Sequence, residues 1–177
     1  MENKFILTAF GKNRPGIVAG ISQVIFENRC NLEDSNMGRL ADEFTLILLL
    51  SGPENDKDLK RNLDRDLKRL EMEKDIFVFL RALDFQVPDD TGSGRFNTIH
   101  VEGLDQAGIV YKISDLLAKS QVNIETLTSE KRFSPNSGTA MYTMQIKVDI
   151  PQSVSHEDLE RSLDMLSNEL NVDIHIE

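Results

Sequence analysis

Apolar residues fall into short runs whose spacing switches between strand-like and helix-like periods. Phe5 to Phe10 is nearly continuous, as expected of a central strand. Gly11 to Arg14 reads as a turn, with Pro15 at the first helical position, where its missing N–H costs nothing. Ile17, Val18, Ile21, Val24 and Ile25 then recur at helical spacing, and the helix fades near Asn28. Asn31 to Leu40 opens on Asn-Leu, turns polar and is assigned as a strand. Ala41-Asp42 is a tight connection to Glu43–Ser51, the strongest strand pattern of the first half, which Gly52-Pro53 ends. Leu59, Leu63, Leu67 and Leu70 mark one face of a second helix, with Asn55 or Asp56 as its N-cap. Ile76 to Phe85 is a fourth strand.

The same order then repeats. Phe96 to Gly103 predicts a strand and Ala107 to Ser120 a helix with Ile109, Ile113, Leu116 and Leu117 inward. Asn123 to Lys131 is a strand, 133–138 a hairpin loop, and Thr139 to Ile150 another strand. Ser155 can cap a helix carrying Leu159, Leu163, Leu166 and Leu170, and Val172, Ile174 and Ile176 alternate in a last strand. A shift of 92 places Gly11, Gly16, Ile17, Val18, Ile21, Ser22, Asn31 and Glu33 on Gly103, Gly108, Ile109, Val110, Ile113, Ser114, Asn123 and Glu125. Average residue usage gives roughly one or two such identities by chance. The expected organisation is a domain over 1–86, a Gly- and Pro-containing linker over 87–94 and a second domain over 95–177. Each copy is βαββαβ, which predicts an α+β fold: two ferredoxin-like domains, each a four-stranded antiparallel sheet with two helices on one face. Domains this small bury a modest fraction of their surface, so each is expected to lean on its twin or on a second chain.

Charge narrows the function. Residues 1–88 carry 13 Lys+Arg against 15 Asp+Glu, and residues 89–177 carry 7 against 15. The net charge of -10 disfavours direct nucleic-acid binding, which needs a basic face. The basic residues between Lys57 and Arg69 are interleaved with acids, as on a solvated helix face. No apolar run is long enough to span a membrane, and the first residues do not read as a signal peptide. With Cys30 as the single cysteine, these features predict a cytoplasmic protein without a disulfide.

No catalytic motif is present: no Gly-x-Ser-x-Gly, no His-Glu-x-x-His, no phosphate loop and no dinucleotide fingerprint. The reading is non-enzymatic, without cofactor or metal. His100 and His175 fall in strands that neighbour each other in this fold, but two ligands without a third make a weak metal site. The repeated turn is the remaining candidate. Glycine at a helix start permits close approach, and first-turn N–H groups suit a carboxylate. Asn13 or Asp105 could hold an amine, and Asn31 or Asn123 could donate and accept. Turn chemistry alone accounts for these residue types equally well.

The run Gly11-x-x-Arg14-Pro15-Gly16-Ile17-Val18, followed by Asn31-Leu32-Glu33-Asp34-Ser35 and Glu43-Phe44-Thr45, resembles the ACT domain. More narrowly, the chain is similar to tandem-ACT proteins of the glycine cleavage system transcriptional repressor type. The resemblance covers nearly the whole chain as two copies. It implies a regulatory module that binds small ligands, typically amino acids, at an interface between two ACT units. It implies a first site at Asn13, Arg14, Pro15, Gly16, Ile17 and Asn31, and a second at Asp105, Gly108, Ile109, Asn123 and Ile124. It further implies a homodimer and a protein partner such as a transcriptional activator. The second copy departs from the pattern, since Gln106-Ala107 replaces Arg14-Pro15. A ligand-free interaction module and a regulatory subunit of an amino-acid metabolic enzyme are the alternatives.

Overall fold

In the computed structural model, alternate residues Phe5, Leu7 and Ala9 of strand β1 (Asn3–Lys12) are buried under two helices. The same alternation buries Phe44, Leu46, Leu48 and Leu50 of β3 (Glu43–Gly52). Helix α1 (Ile17–Glu27) contributes Ile17, Ile21, Val24 and Ile25, and α2 (Leu59–Lys74) contributes its four leucines, so helices and strands close one core. Strands β2 (Asn31–Leu40) and β4 (Ile76–Leu83) complete an antiparallel sheet in the order β2-β3-β1-β4. The structure describes residues 3–83, 94–133 and 138–177. The expected linker therefore lies, apart from Gly94, outside the described residues, as do 134–137 of the expected hairpin loop.

The second unit repeats the arrangement with β5 (Arg95–Leu104), α3 (Ile109–Lys119), β6 (Asn123–Phe133), β7 (Ala140–Ile150), α4 (His156–Leu170) and β8 (Val172–Ile176). Its order is β6-β7-β5-β8. Its core gathers Ile99, Val101, Ile113, Leu117, Ile146, Val148 and Leu163 from both helices and one face of the sheet. The βαββαβ reading holds in both units. Among the described residues no helix is long and apolar enough to cross a membrane.

Three local expectations change. Pro15 precedes the helix rather than opening it: Pro15-Gly16 form a turn, and Gly16, with φ 87 and ψ 0, takes the left-handed geometry of the third residue of a type II turn. Proline fits the preceding position because its fixed φ suits that turn as well as a helix start. For the same reason α3 begins at Ile109, after Gly108 at φ 98, and not at Ala107. Helix α2 is preceded by Asp58, whose N–H donates to the Asp56 side chain, so Asp56 shapes the entry without being the cap.

Strands β2 and β6 are exposed along their whole length apart from Ile124, which packs at the edge of the second core. Each carries an irregularity in its pairing, between Leu32 and Asp34 in β2 and between Ile124 and Thr126 in β6. The skipped residues are the repeated glutamates Glu33 and Glu125. A bulge re-aims a side chain and increases local twist. Cys30 is partly buried against the first core, and loss of solvent pushes its thiol up.

Ser155 caps α4, its hydroxyl accepting from the Asp158 N–H at 3.4 Å. That bond is long, so Ser155→Ala is expected to destabilise the second unit by about 0.5–1 kcal/mol, the lower part of the range for cap removal. Urea denaturation followed by tyrosine fluorescence checks this, because both tyrosines, Tyr111 and Tyr142, lie in that unit.

Candidate functional site

The first turn is built by the end of β1, the start of α1 and the tip of the β2–β3 hairpin. The Asn13 N–H donates to the Asp42 carbonyl at 2.8 Å, which ties the turn to that tip. Helical bonding begins with the Gly20 N–H to the Gly16 carbonyl at 3.0 Å. No side chain caps Gly16, and no acid lies in the first turn of α1. The N–H groups ahead of Gly20 are thus the unpaired donors of a helix N-terminus. A Cβ added at Gly16 would meet nothing within 4 Å, so space is open there, and it is the positive φ that demands glycine.

Arg14 brings the positive charge of this turn. Its guanidinium lies 3.6 Å from the Asp75 carboxylate at the C-cap of α2, and both side chains are largely exposed. An ion pair so exposed binds Arg14 weakly and leaves it able to meet another anion. Among the described residues the Asn13 side chain has no hydrogen-bond partner. Ile17 is buried in the core and anchors the helix start; Pro15 is exposed.

The second turn has the same backbone and different side chains. The Asp105 N–H donates to the Ala140 carbonyl at 3.0 Å, and Gly108 takes φ 98 with open space beyond it. The Asp105 carboxylate is held by Lys131 of β6 at 2.5 Å. Gln106, at the position of Arg14, donates from Nε2 to the Leu170 carbonyl at the end of α4. Both residues at this position reach the C-terminal end of the second helix of their unit, one by charge and one by an amide. Ile109 is buried, as Ile17 is.

Register decides where Asn31 stands. It opens β2 opposite Ser51, and Ser51 lies opposite Lys4 near the start of β1. The turn lies at the other end of the sheet, where Lys12 faces Glu43. Ser51 lies eight residue steps along β3 from Glu43, about 26 Å at strand rise. Within one unit, Asn31 and the Asn13–Ile17 turn are therefore not brought together. Asn123 and Ile124 are separated from Asp105 and Gly108 in the same way, since Asn123 faces Asp149 and Leu104 faces Met141.

The two asparagines also differ in engagement. Among the described residues the exposed Asn31 side chain has no partner, whereas Asn123 Nδ2 donates to Glu125 Oε1 at 2.7 Å. Glu33, the counterpart of Glu125, instead accepts from Lys4 at 3.0 Å, and the bonds from Lys4 and Ser51 hold its carboxyl below the usual range.

The sequence pattern did not single out an apolar cluster on the open face of the first sheet. Phe10 stacks on Phe77 with ring centroids 4.9 Å apart, and Phe79 lies 6.3 Å from Phe10. The alternation of Phe77 and Phe79 against the core positions of β4 was the available signal.

Residues 3–78 match the family model of the ACT domain. The chain is similar to the glycine cleavage system transcriptional repressor of Escherichia coli (strain K12), with 27% identity over 170 residues, 96% of this chain and 87% of that protein. A UPF0237 protein of Methanopyrus kandleri is 34% identical over 79 residues, covering 45% of this chain and 87% of its own length. The crystal structure of an unknown protein from Galdieria sulphuraria superposes with a TM-score of 0.80 at 27% identity, covering 100% of this chain and 98% of that one.

Proposed function

Because the chain belongs to the ACT-domain family, as a tandem pair of units, we propose that it is an amino-acid-sensing regulatory protein. It acts without catalysis, on transcription, and through a partner protein. The observation that carries this reading is the first turn: an uncapped helix N-terminus opened by left-handed Gly16, beside the exposed charge of Arg14 and the unpartnered Asn13. Helix N–H groups and a guanidinium suit the carboxylate of an amino acid, and the Asn13 carbonyl suits its ammonium.

A second chain completes the site in this reading. The turn and Asn31 cannot meet within one unit, so Asn31 of a second copy supplies the remaining polar contact, which makes the working form a homodimer. The first unit is the ligand-binding one, because the second unit's equivalents are already engaged: Asp105 by Lys131, Gln106 by Leu170 and Asn123 by Glu125. Ligand binding regulates by favouring one packing of ACT units over another, which requires different affinities for the two states. Similarity to a transcriptional repressor supports the regulatory role. The acidic balance supports action through a protein partner in the cytoplasm, with no direct contact to nucleic acid.

Thermal unfolding with glycine, serine, and the branched and aromatic amino acids tests the proposal. A ligand at 100 times its Kd is expected to add about 2.7 kcal/mol by mass action. An unchanged melting temperature with every one of them would count against amino-acid sensing.

A further inference from the structure

The open face of the second sheet holds a cluster that the amino-acid site does not use. His100 of β5 and His175 of β8 are directly opposite in register, and their rings stack with centroids 4.8 Å apart and planes 9° from parallel. Glu177 follows β8 and exchanges both backbone hydrogen bonds with Thr98, at 2.9 Å each, which places it on the same face as His175. Its Oε1 lies 3.6 Å from His100 Nε2 and 3.8 Å from His175 Nε2. The three side chains can thus offer ligand atoms that all lie within 4.8 Å of one another. The sequence shows the two histidines as neighbours; register supplies the third group.

We propose that His100, His175 and Glu177 form a binding site for a divalent transition cation of the zinc class. Two imidazoles and one carboxylate are a donor set suited to such an ion. Zinc held tetrahedrally at its usual bond lengths sets neighbouring ligand atoms about 3.4 Å apart. The spacings from Glu177 are a few tenths of an ångström wider, and the two rings, stacked nearly parallel at 4.8 Å, must turn out of the stack for their nitrogens to converge on one ion. His175 and Glu177 are exposed, so such rotations meet little resistance. Three protein ligands leave the fourth position to water or to a donor from another molecule.

Two further observations favour a cation here. Glu102 and Asp173 are the next cross-strand pair on the same face. Like charges directly opposite destabilise a sheet, and a dication beside them offsets that repulsion. The first unit, built on the same register, carries none of these groups. Thr8, Phe79 and Arg81 stand where His100, His175 and Glu177 stand, and Phe10 and Phe77 replace Glu102 and Asp173. The cation site therefore belongs to the second unit alone and is independent of the amino-acid reading.

Calorimetric titration of the untagged, chelator-treated full chain with zinc chloride tests the proposal, with variant folding checked by circular dichroism. One equivalent per chain is expected. His175→Ala and Glu177→Gln should each weaken binding by at least about tenfold, since even outer-shell changes at metal sites cost that much. His156→Ala, on α4 beside Glu160, should leave it unchanged. No saturable binding, or binding of equal strength in His175→Ala, would overturn the site.

Discussion

An Ile21→Ala chain is expected to lose about 2–5 kcal/mol from its first unit. Ile21 has no exposed surface and sits among Leu7, Leu48 and Leu63 in the first core. Truncation removes apolar contacts from both the sheet and α2, and a close-packed interior recovers only part of the void. Against typical domain stabilities of about 5–15 kcal/mol, that loss is large. For a domain of this size each kcal/mol is worth about 4–8 °C in Tm. The chain has no tryptophan, and both tyrosines report on the second unit. Each core draws its residues from one unit only. Far-UV circular dichroism should therefore show the shift while the tyrosine transition moves less. Ile113→Ala, the repeat counterpart, should move the tyrosine transition itself.

The second large effect concerns the two turns. Arg14→Glu is expected to weaken amino-acid binding by about tenfold or more, since it replaces a charge-assisted hydrogen bond to a carboxylate with repulsion. Its effect on stability should be small, because the pair it breaks with Asp75 is exposed. Gln106→Glu, at the matching position, should act the other way round. It loses an amide bond to the Leu170 carbonyl and destabilises the second unit, while leaving ligand affinity unchanged. Calorimetry and urea denaturation on the two variants separate these outcomes. Equal loss of affinity in both would overturn the assignment of binding to the first unit.

Where burial imposes a period, the elements are legible from sequence. The leucines of α2 and α4 and the alternation in β3 bury one face each, and they lie where the pattern places them. Strand β2 carries no such imprint, because all ten residues are exposed and its ladder with β3 leaves no buried face to set a period. Pro15 misleads for a different reason: a fixed φ near -65° serves both a helix start and a type II turn. Only the left-handed Gly16 after it decides between them.

The candidate site is half legible. The 92-residue repeat draws attention to the Gly16 and Gly108 turns and to Asn31 and Asn123. It says nothing of distance. Register places Asn31 beside Ser51, at the far end of the sheet from Asn13, which is why the proposed site draws on two chains. Register likewise makes Glu177 the third member of the histidine cluster. Strand pairing is a non-local property, fixed by which face is buried, and adjacent sequence does not contain it.

In the proposed dimer the turn of one chain and Asn31 of another hold one amino acid between them. The most direct measurement is a titration of dimers assembled from one Arg14→Glu chain and one Asn31→Ala chain, purified through two different tags. Each variant alone should bind at least about tenfold more weakly, by loss of one polar contact per site. In the mixed dimer one site carries both changes and the other carries neither. Half of the sites should recover the affinity of the unmodified protein. A mixed dimer that binds as weakly as its parents would contradict a site shared between chains.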